Sequence, residues 1–190
     1  MLILTGFNRS MMECGTYCVR SVERYITKYP KYHFAVEAVP EGFTRPASWY
    51  KVNAILKHLK DHDFVLWLDA DSLIVGVEDI GKMLGDKTLN IARDKHGVNH
   101  GIAAWKNCPE AFWALETMNR AYDKWQDGIW HEQHALMELE GQMNICYQPK
   151  VKFNAYPEDI DSTTQILHFP GMLPHDRLPL MEQAYHKLIA

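Results

Sequence analysis

The feature that most constrains this chain is an uninterrupted apolar run, Phe64-Val65-Leu66-Trp67-Leu68, that stops abruptly at Asp69-Ala70-Asp71. A strand without polar alternation must be covered on both faces, which demands a central sheet with helices packed on either side. The run before it fits that demand. Val52, Ile55, Leu56 and Leu59 recur at helical spacing, with Ser48 placed to cap the helix N-terminus.

The same alternation extends along the chain. Leu2-Ile3-Leu4-Thr5 reads as a first strand, and Gly6-Phe7-Asn8 turns out of it. Met11, Cys14, Cys18, Val22 and Tyr25 mark one helix face, ended by Tyr29-Pro30. His33 to Val39 is a second strand, and short strands follow at Leu89 to Arg93, Gly101 to Trp105, Ile145 to Gln148 and Gln165 to Phe169. A helix starts at Pro109 and carries Phe112, Leu115, Tyr122 and Trp125, and another spans Trp130 to Glu140, stopped by Gly141. Strands alternating with helices predict an α/β fold, a single Rossmann-like domain with a mixed, mostly parallel sheet flanked by helices. At 190 residues there is room for one core of this kind.

The two carboxylates at the strand end carry the chemistry. Ligands of open α/β sheets bind where strands end. Alternate residues of an extended segment point the same way, so Asp69 and Asp71 can converge on one object. Two like charges held close are costly without a cation between them. A divalent ion with a taste for oxygen, Mg²⁺ or Mn²⁺, is the natural occupant, with open positions for the oxygens of a diphosphate. The competing reading, two solvated loop aspartates, fits poorly with Leu73-Ile74-Val75 directly downstream. A net charge of -4 provides no basic surface for a nucleic acid, so an anionic ligand needs local groups or a cation.

Four cysteines (Cys14, Cys18, Cys108, Cys146) lack zinc-ribbon spacing or a dense disulfide pattern, and Cys14 and Cys18 share a helix face as small core residues. A cytoplasmic setting is expected. Met1-Leu2-Ile3-Leu4 is too short for a signal peptide, and no apolar run approaches the ~20 residues of a membrane span.

Ser48-Trp49-Tyr50-Lys51, the helix after it and Trp67-Leu68-Asp69-Ala70-Asp71 together resemble the nucleotide-sugar-dependent glycosyltransferases of the GT-A fold, in particular the galactosyl- and xylosyltransferase type. Asn99-His100-Gly101, Glu132-Gln133 and His168-Phe169-Pro170-Gly171 continue the resemblance in the family's order, from Thr5 to Gly171. It implies a nucleoside diphosphate sugar donor, UDP-linked, and a glycan or other hydroxyl acceptor; retention of anomeric configuration is the expectation, with inversion the alternative. Residues 1–105 would form the nucleotide-sugar-binding half and residues 106–190 the acceptor and catalytic half.

The resemblance also distributes roles. Asp69, Asp71 and His168 would hold the metal, and an imidazole beside two carboxylates suits Mn²⁺. Thr5, Gly6, Asn8, Lys51 and Asp69 would meet the nucleotide; a plain turn capped by Asn8 or Ser10 is the competing reading of the first three. Arg93, Asp94, Asn99 and Gly101 would meet the sugar, although Asn-x-Gly is also common turn chemistry. Glu132 and Gln133 would be the catalytic pair: a stabiliser or nucleophile in a retaining enzyme, a general base in an inverting one, or merely a capping acid in a first helical turn. The family's His-x-x-Gly-x-x-Lys-Pro-Trp pattern is broken here after Gly171, which leaves His175 or Arg177 to replace its lysine. Two other functions fit the strand end. One is a haloacid-dehalogenase-type phosphatase with Asp69 as nucleophile, though that motif normally lies on the first strand; the other is a non-catalytic nucleotide-sugar binder.

Overall fold

The computed structural model describes residues 1–189. In chain order the elements are β1 (Leu2–Phe7), α1 (Met12–Lys28), β2 (His33–Ala38), α2 (Tyr50–Leu59), β3 (Phe64–Asp69) and β4 (Ser72–Ile74). They continue with β5 (Leu89–Asp94), β6 (Gly97–Lys106), α3 (Pro109–Arg120), α4 (Tyr122–Trp125) and α5 (Glu132–Leu139). The last are β7 (Ile145–Gln148), α6 (Lys150–Phe153), β8 (Ile166–His168) and α7 (Pro174–Ile189).

Six strands form the main sheet in the order β2-β1-β3-β6-β5-β7, and β4 and β8 form a small second sheet. Only β6 runs against its neighbours: β1 is parallel to β2 and β3, and β5 is parallel to β7. The apolar run of β3 is explained by its coverage. Val65 and Trp67 face a core shared with α2, α3 and α5, whereas Leu66 and Leu68 face the core under α1. Each fully buried aliphatic side chain there contributes about 1.5–3 kcal/mol. Cys14 and Cys18 are buried thiols on α1, and burial pushes the Cys18 thiol up to about 12.

A third cluster joins α1, the small sheet and α7 through Cys14, Leu73, Leu167, Phe169 and Met181. Its strand pairing sets Ser72 opposite His168, and the Phe169 amide donates to the Asp71 carbonyl at 2.9 Å. The small sheet thereby carries a late histidine to the end of β3.

Several local expectations need correction. Ser48 does not cap α2; a short 3₁₀ turn over Ala47–Trp49 precedes it, and the Ser48 hydroxyl meets the His131 ring instead. The helix from Pro109 breaks at Ala121, so Tyr122 and Trp125 sit on the separate α4. Trp130 and His131 form a turn ahead of α5 rather than its first residues, and His131 stands at φ 41°. After Gly171 the chain forms α7, a helix that the sequence hides because Pro179 lies within it.

Candidate active site

Two clefts meet at the carboxyl ends of β1 and β3. The smaller, of about 310 Å³, is lined by Gly6, Asn8, Val39, Ser48 and Tyr50, and the larger, of about 760 Å³, by Asp94, Asn99, Glu132, Gln133 and Tyr156. Ser48, Lys51, Asp69 and Asp71 line both. The strand-end acids therefore stand at the junction.

Asp69, Asp71 and His168 each present a ligand atom, all within 4.8 Å of one another. This donor set fits a divalent cation, and its surroundings are built to orient it. The His168 Nδ1–H donates to Asn154 Oδ1 at 2.9 Å, which turns Nε2 toward Asp71 Oδ1, 3.4 Å away. An outer hydrogen bond of this kind fixes the tautomer that a metal-binding imidazole needs. Gly101 makes space for the ring: a Cβ there would lie 2.2 Å from His168 Cε1. Burial raises the pKa of Asp71, but the His168 hydrogen bond and charge, with Arg177, outweigh it and hold the carboxyl below its ordinary value. Arg177 Nε lies 3.4 Å from Asp71 Oδ2, while His175 is exposed and pairs with Asp176. Of the two basic residues of the tail, the fold brings only Arg177 to the site.

Asp69 is held differently. Its Oδ1 accepts from Trp67 Nε1 at 2.6 Å and from Lys51 Nζ at 2.8 Å. Lys51 is buried and reaches Glu132 Oε1 at 3.0 Å and the His100 carbonyl at 3.3 Å. Burial lowers the Lys51 pKa, yet the two carboxylates prevail and hold the ammonium above its usual range. Its three donors are thus spent inside the protein, on two acids and a carbonyl. Lys51 links the strand-end acid to Glu132, whose other oxygen, Oε2, is buried without a partner. Burial and the Lys51 charge together keep His100 neutral, well below the ordinary histidine value. Gln133 Oε1 accepts from the His100 amide at 3.0 Å, so the α5 start is fastened to β6.

Asp94 and Asn99 flank the β5–β6 hairpin, whose ladder is offset between Ile91 and Arg93, a device that re-aims side chains near sites. Asn99 Nδ2 donates to Asp94 at 3.0 Å and to the Tyr156 hydroxyl at 2.8 Å, and Tyr156 donates to Asp94. Burial acts to raise the Asp94 pKa, but these hydrogen bonds prevail and lower it.

The sequence-derived residues thus fall into four groups. Asp69, Asp71, His168, Lys51, Asp94, Asn99, Gly101, Glu132 and Gln133 are gathered around the larger cleft, and Gly6 and Asn8 line the smaller. Thr5 is buried behind it, accepting a 3.7 Å contact from the Cys18 thiol. Arg93 is not brought in: it is exposed, pairs with Glu140 at 3.2 Å and lies over the Tyr147 ring. Strand alternation sends it away from Asp94, which is its immediate neighbour. Sequence reasoning missed Tyr156, Asn154 and the structural part of His100. No motif marks the first two; the Asn99-His100-Gly101 segment was noticed, but for its outer residues.

No protein-family model matches this chain, and no curated protein matches it in sequence. Solved structures do resemble it. A glycosyltransferase involved in the glycosylation of the major capsid of PBCV-1 superimposes with a TM-score of 0.79 at 15% identity, covering 96% of this chain and 98% of the other. The galactosyltransferase LgtC, in complex with donor and acceptor sugar analogs, gives 0.63 at 13% identity, covering 100% and 97%. The glycosyltransferase GlyE of Streptococcus pneumoniae gives 0.69 at 13% identity, covering 99% of this chain and 62% of its own. The chain has the GT-A fold that its sequence resemblance implied. None of these likenesses supports the phosphatase or non-catalytic readings.

Proposed function

We propose that this chain is a metal-dependent glycosyltransferase. It takes a nucleoside diphosphate sugar, UDP-linked, and moves the sugar to a hydroxyl of a glycan or similar acceptor with retention. The observation that carries this reading is the junction: the Asp69, Asp71 and His168 donors stand where a nucleotide-sized cleft opens into a larger one. A nucleoside in the smaller cleft, with its sugar in the larger, places the diphosphate between them. Residues lining the smaller cleft all come from positions 6–71, which supports reading residues 1–105 as the donor half and 106–190 as the half bringing Glu132, Gln133 and His168.

Asp69, Asp71 and His168 would hold the cation, and the imidazole favours Mn²⁺ over Mg²⁺. What a bound cation supplies is neutralisation of the diphosphate as it departs. Arg177, beside Asp71, adds a second positive charge for the same anion. As the C1–O bond to the β-phosphate breaks, positive charge develops on the sugar, and Glu132, salted by Lys51, is a fixed negative group to meet it. The acceptor oxygen then bonds to C1 on the vacated face, and its proton leaves with the diphosphate. Gly6 and Asn8 belong to nucleotide contact, with Thr5 supporting them from behind; Asp94, Asn99 and Gly101 belong to the sugar side. No helix among the described residues is long and apolar enough to cross a membrane. Four free thiols support work in the reducing cytoplasm.

The test is a screen of nucleotide sugars by thermal shift with and without Mn²⁺, followed by NMR of the transfer product. A metal-dependent shift with one donor and an unchanged anomeric configuration are expected. Stabilisation by no nucleotide sugar under either condition overturns the reading, and an inverted anomer overturns the retaining step alone.

A further inference from the structure

Glu132 lines the larger cleft, and His100 stands beside it without lining that cleft. Strand alternation in β6 turns the His100 side chain away from Asn99 and Gly101, and it is fully buried. Whatever His100 does at the site, it does through Glu132.

Its ring is held at three points. The His100 amide donates to Gln133 Oε1, the His100 carbonyl accepts from Lys51 Nζ, and ring Nε2 accepts from Trp105 Nε1 at 3.3 Å. An indole N–H only donates, so Nε2 carries no proton, and the neutral ring has its proton on Nδ1. That Nδ1–H has no acceptor within hydrogen-bonding distance, and Glu132 Oε2 has no donor, although both atoms are buried. An orphaned donor and an orphaned acceptor, each costly alone, are complementary to one another. Nδ1 lies 3.9 Å from Glu132 Oε1, and a hydrogen bond needs about 1 Å less. The carboxylate is the partner free to close this gap, because the terminal torsion of a glutamate is broad while the ring is tied.

A neutral donor behind this acid has a chemical consequence. Asp69 and Glu132 bring two negative charges and Lys51 one positive, so the trio keeps a net negative charge. A second cation behind Glu132 would cancel it. An uncharged N–H orients the carboxylate and leaves its charge to face positive charge on a reacting sugar. We infer that His100 is a positioning residue: its Nδ1–H joins Lys51 as a second fixed donor to the Glu132 carboxylate and sets the angle at which that carboxylate faces the cleft. This rests on the proposed transferase reading and adds to it a residue that never touches the substrate.

The experiment compares His100→Phe with His100→Asn in the full chain. Phe keeps a ring and loses the donor; Asn keeps a donor at the place of Nδ1. Both lose the acceptor for Trp105 Nε1, and Asn leaves the larger void. A purely structural role therefore makes Asn the worse variant, and positioning makes it the better one. Mn²⁺-dependent release of UDP is followed from UDP-galactose, UDP-glucose and UDP-xylose. In His100→Phe, kcat should fall about 10–100-fold with KM within about twofold of the wild type. His100→Asn should regain most of that loss while unfolding at the lower urea concentration. A kcat in His100→Asn equal to or below that of His100→Phe overturns the inference. Nitrogen-15 NMR of the imidazoles at neutral pH supplies a readout that needs no turnover. His100 should be protonated on Nδ1 alone, with an Nδ1–H proton signal that moves upfield in Glu132→Met. A proton on Nε2, or a signal unmoved in that variant, overturns the inference as well. Release of UDP from none of the three donors by the wild type would instead count against the transferase reading, and the proton signal would still decide whether His100 holds Glu132.

Discussion

The two walls of the site are built by different means. One wall, from Gly6 to Asp71, hangs on the ends of β1 and β3, whose ladder pairs Gly6 with Asp69 and is covered on both faces. The other, from Ile129 to Gln133 and from Asn154 to Arg177, consists of turns, a short strand and the first turns of α5 and α7, joined by side chains: His168 to Asn154, Tyr156 to Asp94, His131 to Ser48. The first wall inherits its geometry from the sheet. The second depends on a few hydrogen bonds, any one of which can be removed. Under the proposed function, a site divided in this way would keep the diphosphate position fixed while the sugar side adapts. Lys51 is the joint between the walls, since it holds Asp69 of one and Glu132 of the other.

Breaking that joint should have the largest effect. Lys51→Met strands two acids near each other, one of them buried, and should destabilise the fold by about 3–5 kcal/mol in urea unfolding. Adding Glu132→Gln should recover part of the loss, because the uncompensated charge goes with it. Equal stability of the single and double variants would show that Lys51 does not bridge the walls. A smaller disturbance comes from Gly101→Ala. Its Cβ would overlap His168 Cε1 at 2.2 Å, so the imidazole must move, at about 1–3 kcal/mol of stability and with weaker Mn²⁺ binding. Titration calorimetry checks the second part.

These two positions also show what the sequence could convey. The strand Phe64–Asp69 was legible because only a doubly covered strand tolerates five apolar residues in a row. Glu132 and His168 are singled out only through resemblance, since an acid at a helix start and a histidine in a short strand have ordinary explanations. Nothing in the chain marks Asn154 or Tyr156, whose roles come from contacts with residues 14 and 62 positions away. Arg93 was misplaced because a one-residue change of side in a strand is invisible to a motif. The last helix was hidden by its internal Pro179.

Effects confined to the second wall should be milder. Asn154→Ala frees the His168 ring, and Mn²⁺ affinity should fall about 10–100-fold, the usual range for an outer partner of a metal ligand. An unchanged affinity would mean that the small sheet alone orients the ring. The smallest expected effect is an acid dependence at Asp94. Its folded pKa is below the unfolded value of about 3.9, so its stabilising contribution is present above that pH and is lost as pH falls through the folded pKa. Asp94→Asn should flatten the unfolding curve in this acid range and leave the slope at neutral pH alone.

The central claim, that Asp69, Asp71 and His168 place a cation where the two clefts meet and that this cation holds a diphosphate, is tested most directly by calorimetric titration of UDP with and without Mn²⁺ into the wild type and Asp71→Asn. UDP binding strengthened by Mn²⁺ at least tenfold in the wild type, about 1.4 kcal/mol, and not at all in Asp71→Asn, is the predicted result. UDP affinity that responds equally to Mn²⁺ in both proteins would contradict it.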